Sequence, residues 1–276
     1  MALIQVNFFS KKLMRTVPIN VILPVDKMST DNKTEKNDFK TLYLLHGILG
    51  NYTDWVSNTR IARLAEENDL AVVMPSGDNA FYIDQPKGNN YYGEFIGEEL
   101  VEITRKMFPL SHRREDTFIG GLSMGGYGAM RNGLKYHDTF GHIVSLSGLL
   151  LLDDIVNSTN EAEDFIHSRD YAESCFGNLD EVLNSDKNPQ YLIKKLQQSN
   201  VEIPKMYIAC GTEDPMFNIN QSFATFLQDN DVNVEFEVGP GNHNWEFWDE
   251  YIEKAINWLP TENSGLGINS GNIGVE

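Results

Sequence analysis

Residues 116–130 read DTFIGGLSMGGYGAM, and this stretch decides the fold. Its middle matches the pattern G-x-S-x-G, in which a short apolar strand turns sharply at Ser123 into a helix. Strand and helix approach so closely at such a turn that Gly121 and Gly125 can carry no side chain. The serine sits in strained backbone that exposes its hydroxyl. A glycine-rich turn with an incidental serine is the alternative, and the strand–turn–helix context argues against it. Ser123 is therefore a candidate nucleophile.

Length and composition limit the classes of protein to which this chain can belong. The 276 residues, 41% of them hydrophobic and 22% charged, are typical of a globular protein. The net charge of −18, with no basic stretch, argues against a nucleic-acid or anionic-membrane partner. Cys175 and Cys210 lack metal-ligand spacing, so we expect neither a disulfide framework nor a metal site. With no signal-peptide pattern and no run near the ~20 apolar residues of a membrane span, we expect a cytoplasmic protein.

Short apolar runs alternate with helical patterns along most of the chain. Several runs, such as 41–45 and 70–74, are nearly continuously apolar, which is typical of strands buried on both faces of a parallel sheet. The alternation implies one α/β domain, built on a mostly parallel eight-stranded sheet that has helices on both faces. We expect the first two strands to be antiparallel at one edge of this sheet. The predicted strands cover about 3–9, 17–23, 40–46, 70–75, 116–121, 142–147, 205–210 and 232–238. The predicted helices cover about 57–68, 92–108, 124–136, 216–230 and 244–259.

Three segments interrupt this alternation. Residues 26–39 are polar and charged, which predicts an exposed loop. Residues 149–204 mix helical and loop signals between two strands, and we expect them to form a small cap over the site. The tail 261–276 is rich in Gly, Asn and Ser and is predicted to be disordered, which leaves 1–260 as one domain.

A serine nucleophile needs a histidine base and a carboxylate that orients it, in the chain order Ser, Asp or Glu, His. Asp214 directly follows the strand predicted at 205–210, and His243 follows the strand at 232–238. Catalytic groups of open α/β sheets lie at such carboxyl ends of strands. His243 is the one histidine that comes after Asp214. Ser123, Asp214 and His243 are therefore the predicted triad.

The choice of acid leaves alternatives open. Glu213 is adjacent and is also a carboxylate. Asp214, followed by Pro215, also has the pattern of a helix N-cap with proline at the first helical position.

The tetrahedral intermediate needs backbone N–H donors for its oxyanion. One predicted donor is the amide of Met124, the residue after the nucleophile. The other lies in the loop after the third strand, where Gly47 lets the backbone turn towards the site and Ile48 supplies the amide. His46 in that loop is interpreted as a hydrogen-bonding support rather than a catalytic group.

Four motifs in order carry a family resemblance: LLHGILG at 44–50, GLSMGGYG at 121–128, CGTED at 210–214 and GNHNWEFW at 241–248. With them the chain resembles the putative-esterase (esterase D-like) branch of the α/β-hydrolases over about 3–260. It looks most similar to the tributyrin esterases of lactic-acid bacteria and streptococci. The resemblance implies the same triad and amides, no cofactor, short acyl chains and a family in which homo-oligomers are common.

The loop 76–95 is unusually aromatic, and a similar stretch lies near the acyl pocket in the tributyrin esterases. Packing of the loop itself is an equal alternative. The candidate substrate-binding residues are Phe81, Tyr82, Tyr91 and Tyr92. Trp245 and Trp248, beside the histidine, are interpreted as core residues.

The predicted function is a cofactor-free serine carboxylesterase that hydrolyses small-molecule, short-chain esters through an acyl-enzyme. Alternatives are an S-formylglutathione hydrolase, an acetyl or feruloyl carbohydrate esterase, and a non-catalytic binding module on the same fold. Tyr127 stands where the esterase D subgroup has histidine, and the loop after the third strand also differs. Both departures lower the formylglutathione alternative.

Overall fold

The computed structural model describes residues 1–28, 38–161 and 164–268. Its strands are β1 (Ala2–Ser10), β2 (Arg15–Leu23), β3 (Lys40–Leu45), β4 (Leu70–Pro75), β5 (Asp84–Gln85), β6 (Asn90–Tyr91), β7 (Thr117–Leu122), β8 (His142–Leu146), β9 (Lys205–Gly211) and β10 (Val234–Gly239). Its helices are α1 (Asp54–Asn58), α2 (Ile61–Glu67), α3 (Tyr92–Glu94), α4 (Leu100–Met107), α5 (Met124–Lys135), α6 (Asp153–Val156), α7 (Arg169–Phe176), α8 (Leu179–Val182), α9 (Pro189–Gln198), α10 (Phe217–Asp229) and α11 (Trp245–Trp258). A π-helical segment, Phe95–Glu99, joins α3 to α4.

The predicted eight-stranded, mostly parallel sheet is confirmed. Its strand order is β1-β2-β4-β3-β7-β8-β9-β10, and β5 and β6 form a separate two-stranded hairpin. The pairs β1–β2 and β2–β4 are antiparallel, as expected for the first two strands. The strands from β4 across to β10 pair in parallel. The carboxyl ends of β7, β8, β9 and β10 therefore meet at one edge of the sheet.

Alternation along the strands divides the core into two layers. On β3, Tyr43 and Leu45 pack into one apolar cluster, while Leu42 and Leu44 pack into the other. Successive side chains of a strand point to opposite faces, so each face needs its own helical cover. Helices α4, α5 and α10 contribute to the first cluster, and α2 and α11 contribute to the second. The continuous apolar runs of the sequence therefore reflect burial on both faces.

The insertion 149–204 carries α6 to α9 between β8 and β9. It is fastened to α5, the helix that follows Ser123, by an ion pair between Arg131 and Asp186 at 2.7 Å. The hydroxyl of Tyr127 also donates to the carbonyl of Lys187 at 2.6 Å. The insertion therefore packs on α5, and its role as a cap stays a prediction.

The carboxyl-terminal segment follows the body of the protein as far as residue 268. The amide of Ser264 donates to the carbonyl of Glu67 at 2.9 Å, and that of Ile268 to the carbonyl of Met28 at 2.8 Å. Residues 261–268 have no helix or strand. The disorder predicted for 261–276 stays a prediction, because 269–276 lie outside the described residues. The same holds for 29–37 of the predicted 26–39 loop.

One predicted helix is interrupted. Helical structure expected over 57–68 is divided into α1 and α2 at Thr59, whose extended backbone has φ −138° and ψ 171°. The carboxylate of Asp249 on α11 accepts from the amide of Arg60 at 2.7 Å, and so supplies a partner for an N–H group at the start of α2 that has none within the helix. A tertiary contact of this kind leaves no periodic signal in the sequence.

Two features are absent from the described residues. None of their helices has the length and apolar character of a membrane span. Nor do they contain a group of three or more His, Cys, Asp and Glu side chains arranged to hold a metal ion.

The buried His142 on β8 predicts acid sensitivity. Burial, helped by the nearby Lys205 and Arg114, lowers the pKa of His142 from 6.5 to about 4. The unfolded chain binds this proton below its higher pKa, so stability is lost as the pH falls from about 6.5 to about 4. The wild-type free energy of unfolding should therefore fall by about 3 kcal/mol more than that of His142→Phe across this pH range. Urea unfolding at each pH measures the difference. Substitution of the exposed His112 by Gln serves as the control, and an equal effect there would contradict the assignment.

Candidate active site

Ser123 occupies the strained turn that the glycine pattern predicts. It joins β7 to α5 with φ 52° and ψ −118°, and its amide donates to the carbonyl of Leu146 at 2.9 Å. A Cβ placed on Gly125 would lie 2.5 Å from the carbonyl oxygen of His46, and one on Gly121 would lie 2.5 Å from that of Gly125. Backbone atoms cannot yield to such a contact as a flexible side chain can, so the predicted need for glycine at both positions is confirmed.

The three side chains predicted as a triad lie in one hydrogen-bonded chain. His243 Nε2 is 3.0 Å from Ser123 Oγ. His243 Nδ1 is 3.1 Å from Oδ1 and 3.0 Å from Oδ2 of Asp214. Asp214 follows β9 and His243 follows β10, so the two loops meet because these strands are parallel neighbours. The Asp214 side chain is fully buried, whereas His243 is partly exposed towards solvent.

Asp214 is held as a carboxylate. Burial acts to raise its pKa, but hydrogen bonds from His243, from Ser147 and from the amide of Met216 outweigh it and place the pKa below the usual value. The Met216 amide lies 2.7 Å from Oδ1. Asp214 therefore also satisfies the amide just before α10, but the alternative of an N-cap followed by a helical proline is wrong, because α10 begins at Phe217 with Met216 as its N-cap.

Glu213, the alternative acid, is turned away from the histidine ring. Its exposed carboxylate accepts from the amide of Gly241 at 2.5 Å and from the hydroxyl of Thr212 at 2.7 Å. The amide of Glu213 in turn donates to the carbonyl of Gly241 at 3.0 Å. Glu213 thus ties the two loops together and leaves Asp214 as the carboxylate at His243.

The loop after β3 runs beside the nucleophile. A Cβ placed on Gly47 would lie 3.5 Å from Ser123 Cβ, and the turn closes with a 3.2 Å bond from the Gly50 amide to the Gly47 carbonyl. Within the described ranges, the amides of Ile48 and Met124 have no protein acceptor. Met124 begins α5, where N–H groups lack a partner within the helix. Both predicted donors are therefore available.

His46 supports this loop through hydrogen bonds at three atoms, which agrees with its interpretation as a hydrogen-bonding support. Its Nε2 accepts from the amide of Gly77 at 2.9 Å, and its Nδ1 is 2.6 Å from the carbonyl of Gly47. Its own carbonyl accepts from the hydroxyl of Tyr82 at 2.9 Å. Because Nε2 is an acceptor, the proton is on Nδ1, and burial lowers the pKa in keeping with a neutral ring.

The aromatic residues of the 76–95 loop divide into two pairs. Phe81 and Tyr82 both have positive φ, and the Phe81 ring packs against Tyr127 at 5.8 Å and Phe176 at 5.1 Å between centroids. Tyr82 is fully buried beneath the loop of His46. The structure favours packing for Tyr82, and substrate contact by Phe81 stays a prediction.

The second pair lies around β6. Tyr92 is almost fully buried, and its hydroxyl is hydrogen-bonded to both Arg15 and Asp78. Packing is therefore favoured for Tyr92 as well. Tyr91 is half-buried, and its amide donates to the carbonyl of Lys12 at 3.4 Å. Substrate contact by Tyr91 stays a prediction.

Sequence reasoning missed Ser147 and Asn79. Ser147 lies at the carboxyl end of β8, between the strands that precede Ser123 and Asp214, and its φ is 51°. That placement is the signal that would have found it. Asn79 Oδ1 accepts from the amide of Leu49 at 2.8 Å, which anchors the loop that carries Ile48. A lone asparagine in a polar loop gives no comparable signal.

The strain at Ser123 predicts a difference between two substitutions. Glycine adopts positive φ without steric cost, whereas alanine does not. We expect Ser123→Gly to be more stable than Ser123→Ala by about 1 kcal/mol, after the entropic cost of glycine is subtracted from the strain. Urea unfolding of the two variants measures the difference. Equal stabilities would show that this backbone is unstrained.

One family and three known proteins are similar to this chain. Residues 10–259 match the family described as Putative esterase. The chain is 44% identical over 263 residues to an acetyl esterase of Caldicellulosiruptor saccharolyticus, which covers 94% of this chain and 98% of that protein. Two solved structures from Staphylococcus aureus are also similar: the fluorophosphonate-binding serine hydrolase FphF with bound substrate, and the S-formylglutathione hydrolase FrmB. Each is 34% identical to this chain, and each match covers 94% of this chain and 98% of the other. The TM-scores are 0.83 for FphF and 0.81 for FrmB. These neighbours confirm the predicted α/β-hydrolase fold.

Proposed function

Because the chain belongs to the putative-esterase family and is a carboxylic ester hydrolase, we propose that it cleaves short-chain acyl esters with Ser123, His243 and Asp214 as its triad. The observation that carries the proposal is the unbroken chain of contacts from Ser123 Oγ through both ring nitrogens of His243 to Asp214. Each group has the role that its position allows: nucleophile, base and orienting carboxylate.

Acylation begins when Ser123 Oγ attacks the ester carbonyl carbon. Its proton passes to His243 Nε2, which lies 3.0 Å away. The Asp214 carboxylate accepts from Nδ1–H, which holds the ring in the tautomer that leaves Nε2 free and stabilises the imidazolium that forms. When the tetrahedral intermediate collapses, the C–O bond to the alcohol breaks and His243 returns the proton to the leaving oxygen.

The negative charge on the carbonyl oxygen needs donors in place before reaction. We assign them to the amides of Ile48 and Met124, which lack acceptors within the described ranges. A donor of this kind contributes roughly 2.7–4 kcal/mol to the transition state. His46 and Asn79 hold the Ile48 loop in position by the hydrogen bonds described above.

Deacylation repeats the proton transfers with water. His243 removes a proton from a water molecule, the hydroxide adds to the acyl carbon, and collapse expels Ser123 Oγ, which takes back the proton. The products are a carboxylic acid and the free enzyme. An alcohol in place of water would give acyl transfer by the same steps.

A small acyl group is favoured by two observations. The relative at 44% identity is named an acetyl esterase. The ring of Tyr127, one helical turn beyond Ser123, is packed against Phe81 and Phe176. We expect these interlocked rings, one of them on the helix that follows Ser123, to limit the length of the acyl chain. Short acyl chains of two to four carbons are therefore the proposed substrates.

Hydrolysis of p-nitrophenyl esters from acetate to palmitate tests this function. We expect the highest kcat/KM at two to four carbons, and a loss on the order of 10⁴-fold or more in Ser123→Ala, because the nucleophile is removed. Ser145→Ala is the matched control, since its hydroxyl is buried on β8 without a partner among the described residues. Full activity in Ser123→Ala would refute the triad.

S-formylglutathione is a second candidate substrate, favoured by the likeness to FrmB. The net charge of −18 opposes an anionic thioester, and Tyr127 departs from the histidine of the esterase D subgroup. We expect kcat/KM on S-formylglutathione to be at least about tenfold below that on p-nitrophenyl acetate at low salt, with the gap narrowing as salt screens the repulsion. The reverse order would make the thioester the substrate. Acetylated and feruloylated oligosaccharides, assayed alongside, test the carbohydrate alternative.

A further inference from the structure

The strand β1 lies at one edge of the sheet. Within the described ranges it pairs with β2 alone, so the backbone N–H and C=O groups on its other side face no strand. Its nine residues, ALIQVNFFS, include no charged side chain and no proline, and they pair with β2 without a bulge. Proteins usually protect an exposed edge with one of these features, because a bare edge is a template for another strand. The edge of β1 has none of them.

The opposite edge of the sheet is protected by charge. There the edge strand β10 carries Glu235 and Glu237, and the carboxylate of Glu237 pairs with Lys254 at 3.0 Å. Charged side chains on an edge strand disfavour the addition of another strand. The contrast between the two edges therefore points to β1 as the edge at which a further strand can add.

Each face of β1 leaves apolar side chains incompletely covered. On one face, Ile4 and Val6 pack against the first apolar cluster but are only partly buried. On the other face, Leu3 is 50% exposed and Phe9 is 58% exposed. A strand added at this edge would cover side chains on both faces, which is favourable because apolar surface is removed from water.

The side chains of β1 match those of a second β1. Val6 is the midpoint of the nine residues, so two copies that pair antiparallel about Val6 use the whole length of both strands. Residues directly opposite each other in such a pair have their side chains on the same face. The opposed residues are Leu3 with Phe9, Ile4 with Phe8, Gln5 with Asn7, Ala2 with Ser10, and Val6 with its own counterpart. Exposed apolar side chains thus meet one another, amide meets amide, and partly buried side chains extend the core of both copies.

Charges at the two ends of β1 agree with this arrangement. Lys11, which follows the strand, is exposed, and the same register brings it opposite Met1 of the second copy. Asp26, whose side chain is 54% exposed, lies there in an ion pair with the amino group of Met1. Lys11 of each copy therefore comes close to Asp26 of the other. These two attractions act where the net charge of −18 on each chain would otherwise keep the copies apart.

We propose that two copies of this chain pair antiparallel along β1, about a two-fold axis at Val6, and form one continuous sheet with eight strands from each copy. A two-fold axis makes the interface the same patch on both copies, as the matching of β1 with itself requires. The inference goes beyond the proposed function and does not depend on it. The strands β7 to β10, at whose ends the proposed triad lies, occupy the other half of the sheet.

Size-exclusion chromatography with light scattering tests whether the pair forms. We expect a species of about 63 kDa, twice the 31.3 kDa of one chain, when the protein is at about 50 μM. A single species with the mass of one chain, at every concentration up to about 100 μM, would overturn the proposal.

Two double variants test whether the interface lies on β1. With Gln5→Lys and Asn7→Lys together, like charges would lie opposite each other across the interface, so the dissociation constant should rise at least about tenfold. With Gln5→Lys and Asn7→Glu together, opposite charges would meet, and the dissociation constant should stay within about threefold of the wild-type value or fall below it. Sedimentation equilibrium measures both values, and urea unfolding checks that both variants are folded.

The comparison is controlled within the pair of variants. Both place charges at the same two exposed positions, so a single copy tolerates them equally. The variant with two lysines also has a smaller net negative charge, so an interface elsewhere on the surface would be strengthened rather than weakened. An unchanged dissociation constant in that variant, or an equal rise in both variants, would overturn the proposal.

Cysteine substitution on the exposed face tests the register. In the proposed pair, Leu3 of one copy lies opposite Phe9 of the other, with Cβ atoms about 4.5–5.5 Å apart, near the separation that a disulfide spans. Two copies of Leu3, or two of Phe9, would lie roughly 20 Å apart along the strands. The native Cys175 and Cys210 are buried and do not compete.

We therefore expect a mixture of Leu3→Cys and Phe9→Cys proteins, treated with a mild oxidant, to form a cross-linked pair on a non-reducing gel. Each variant alone should form at most about a tenth as much under the same conditions, because its two thiols are too far apart. Equal cross-linking in either variant alone, or none in the mixture, would overturn the proposed register.

Discussion

The close approach of strand β7 to helix α5 is the constraint on which the rest of the site depends. No Cβ fits at Gly121 or Gly125, because it would lie 2.5 Å from a backbone carbonyl oxygen at either position. The chain can make this turn only if Ser123 takes a positive φ, which lifts its hydroxyl above the sheet edge. The same turn places the amide of Met124 at a helix start, where it has no internal partner. One steric condition thus positions both the proposed nucleophile and one proposed oxyanion donor.

The parallel sheet brings the other side chains of the site together. Strands β7, β8, β9 and β10 are consecutive neighbours, so their carboxyl ends bring four distant segments of the chain to one edge. Ser123, Ser147, Asp214 and His243 each follow one of these strands. The alternating apolar faces fix the register of every strand, because a slip by one residue would move its core side chains to the wrong layer. Burial of apolar surface therefore determines the distances between polar groups.

This division explains which features the sequence predicts. Glycine spacing and strand order are local or periodic, so they predict Ser123, Asp214 and His243 as one site, and the structure brings these side chains together. The predicted sheet is confirmed. The position of Ser147 at the end of a strand is visible in the sequence, but the direction of its hydroxyl is not, and its partner Trp248 lies 101 residues away in the chain. For Tyr82 the sequence leaves pocket lining and packing as equal alternatives, because aromatic content cannot tell a lining ring from a buried one. What depends on the direction of a side chain, rather than on the course of the backbone, required the structure.

Backbone strain is concentrated where the proposed chemistry takes place. Several non-glycine residues with positive φ lie in the loops that surround the nucleophile, namely Leu49, Asp78, Phe81, Tyr82, Ser123 and Ser147. Each such conformation costs on the order of 1–3 kcal/mol and persists only where the surroundings over-determine it. Here the surroundings are fully buried strands and the hydrogen bonds of His46, Asn79 and Trp248. Because these hydrogen bonds hold the loops to the sheet, we expect the proposed donors and the proposed base to be in place before a substrate arrives, which is the condition for electrostatic stabilisation of an oxyanion.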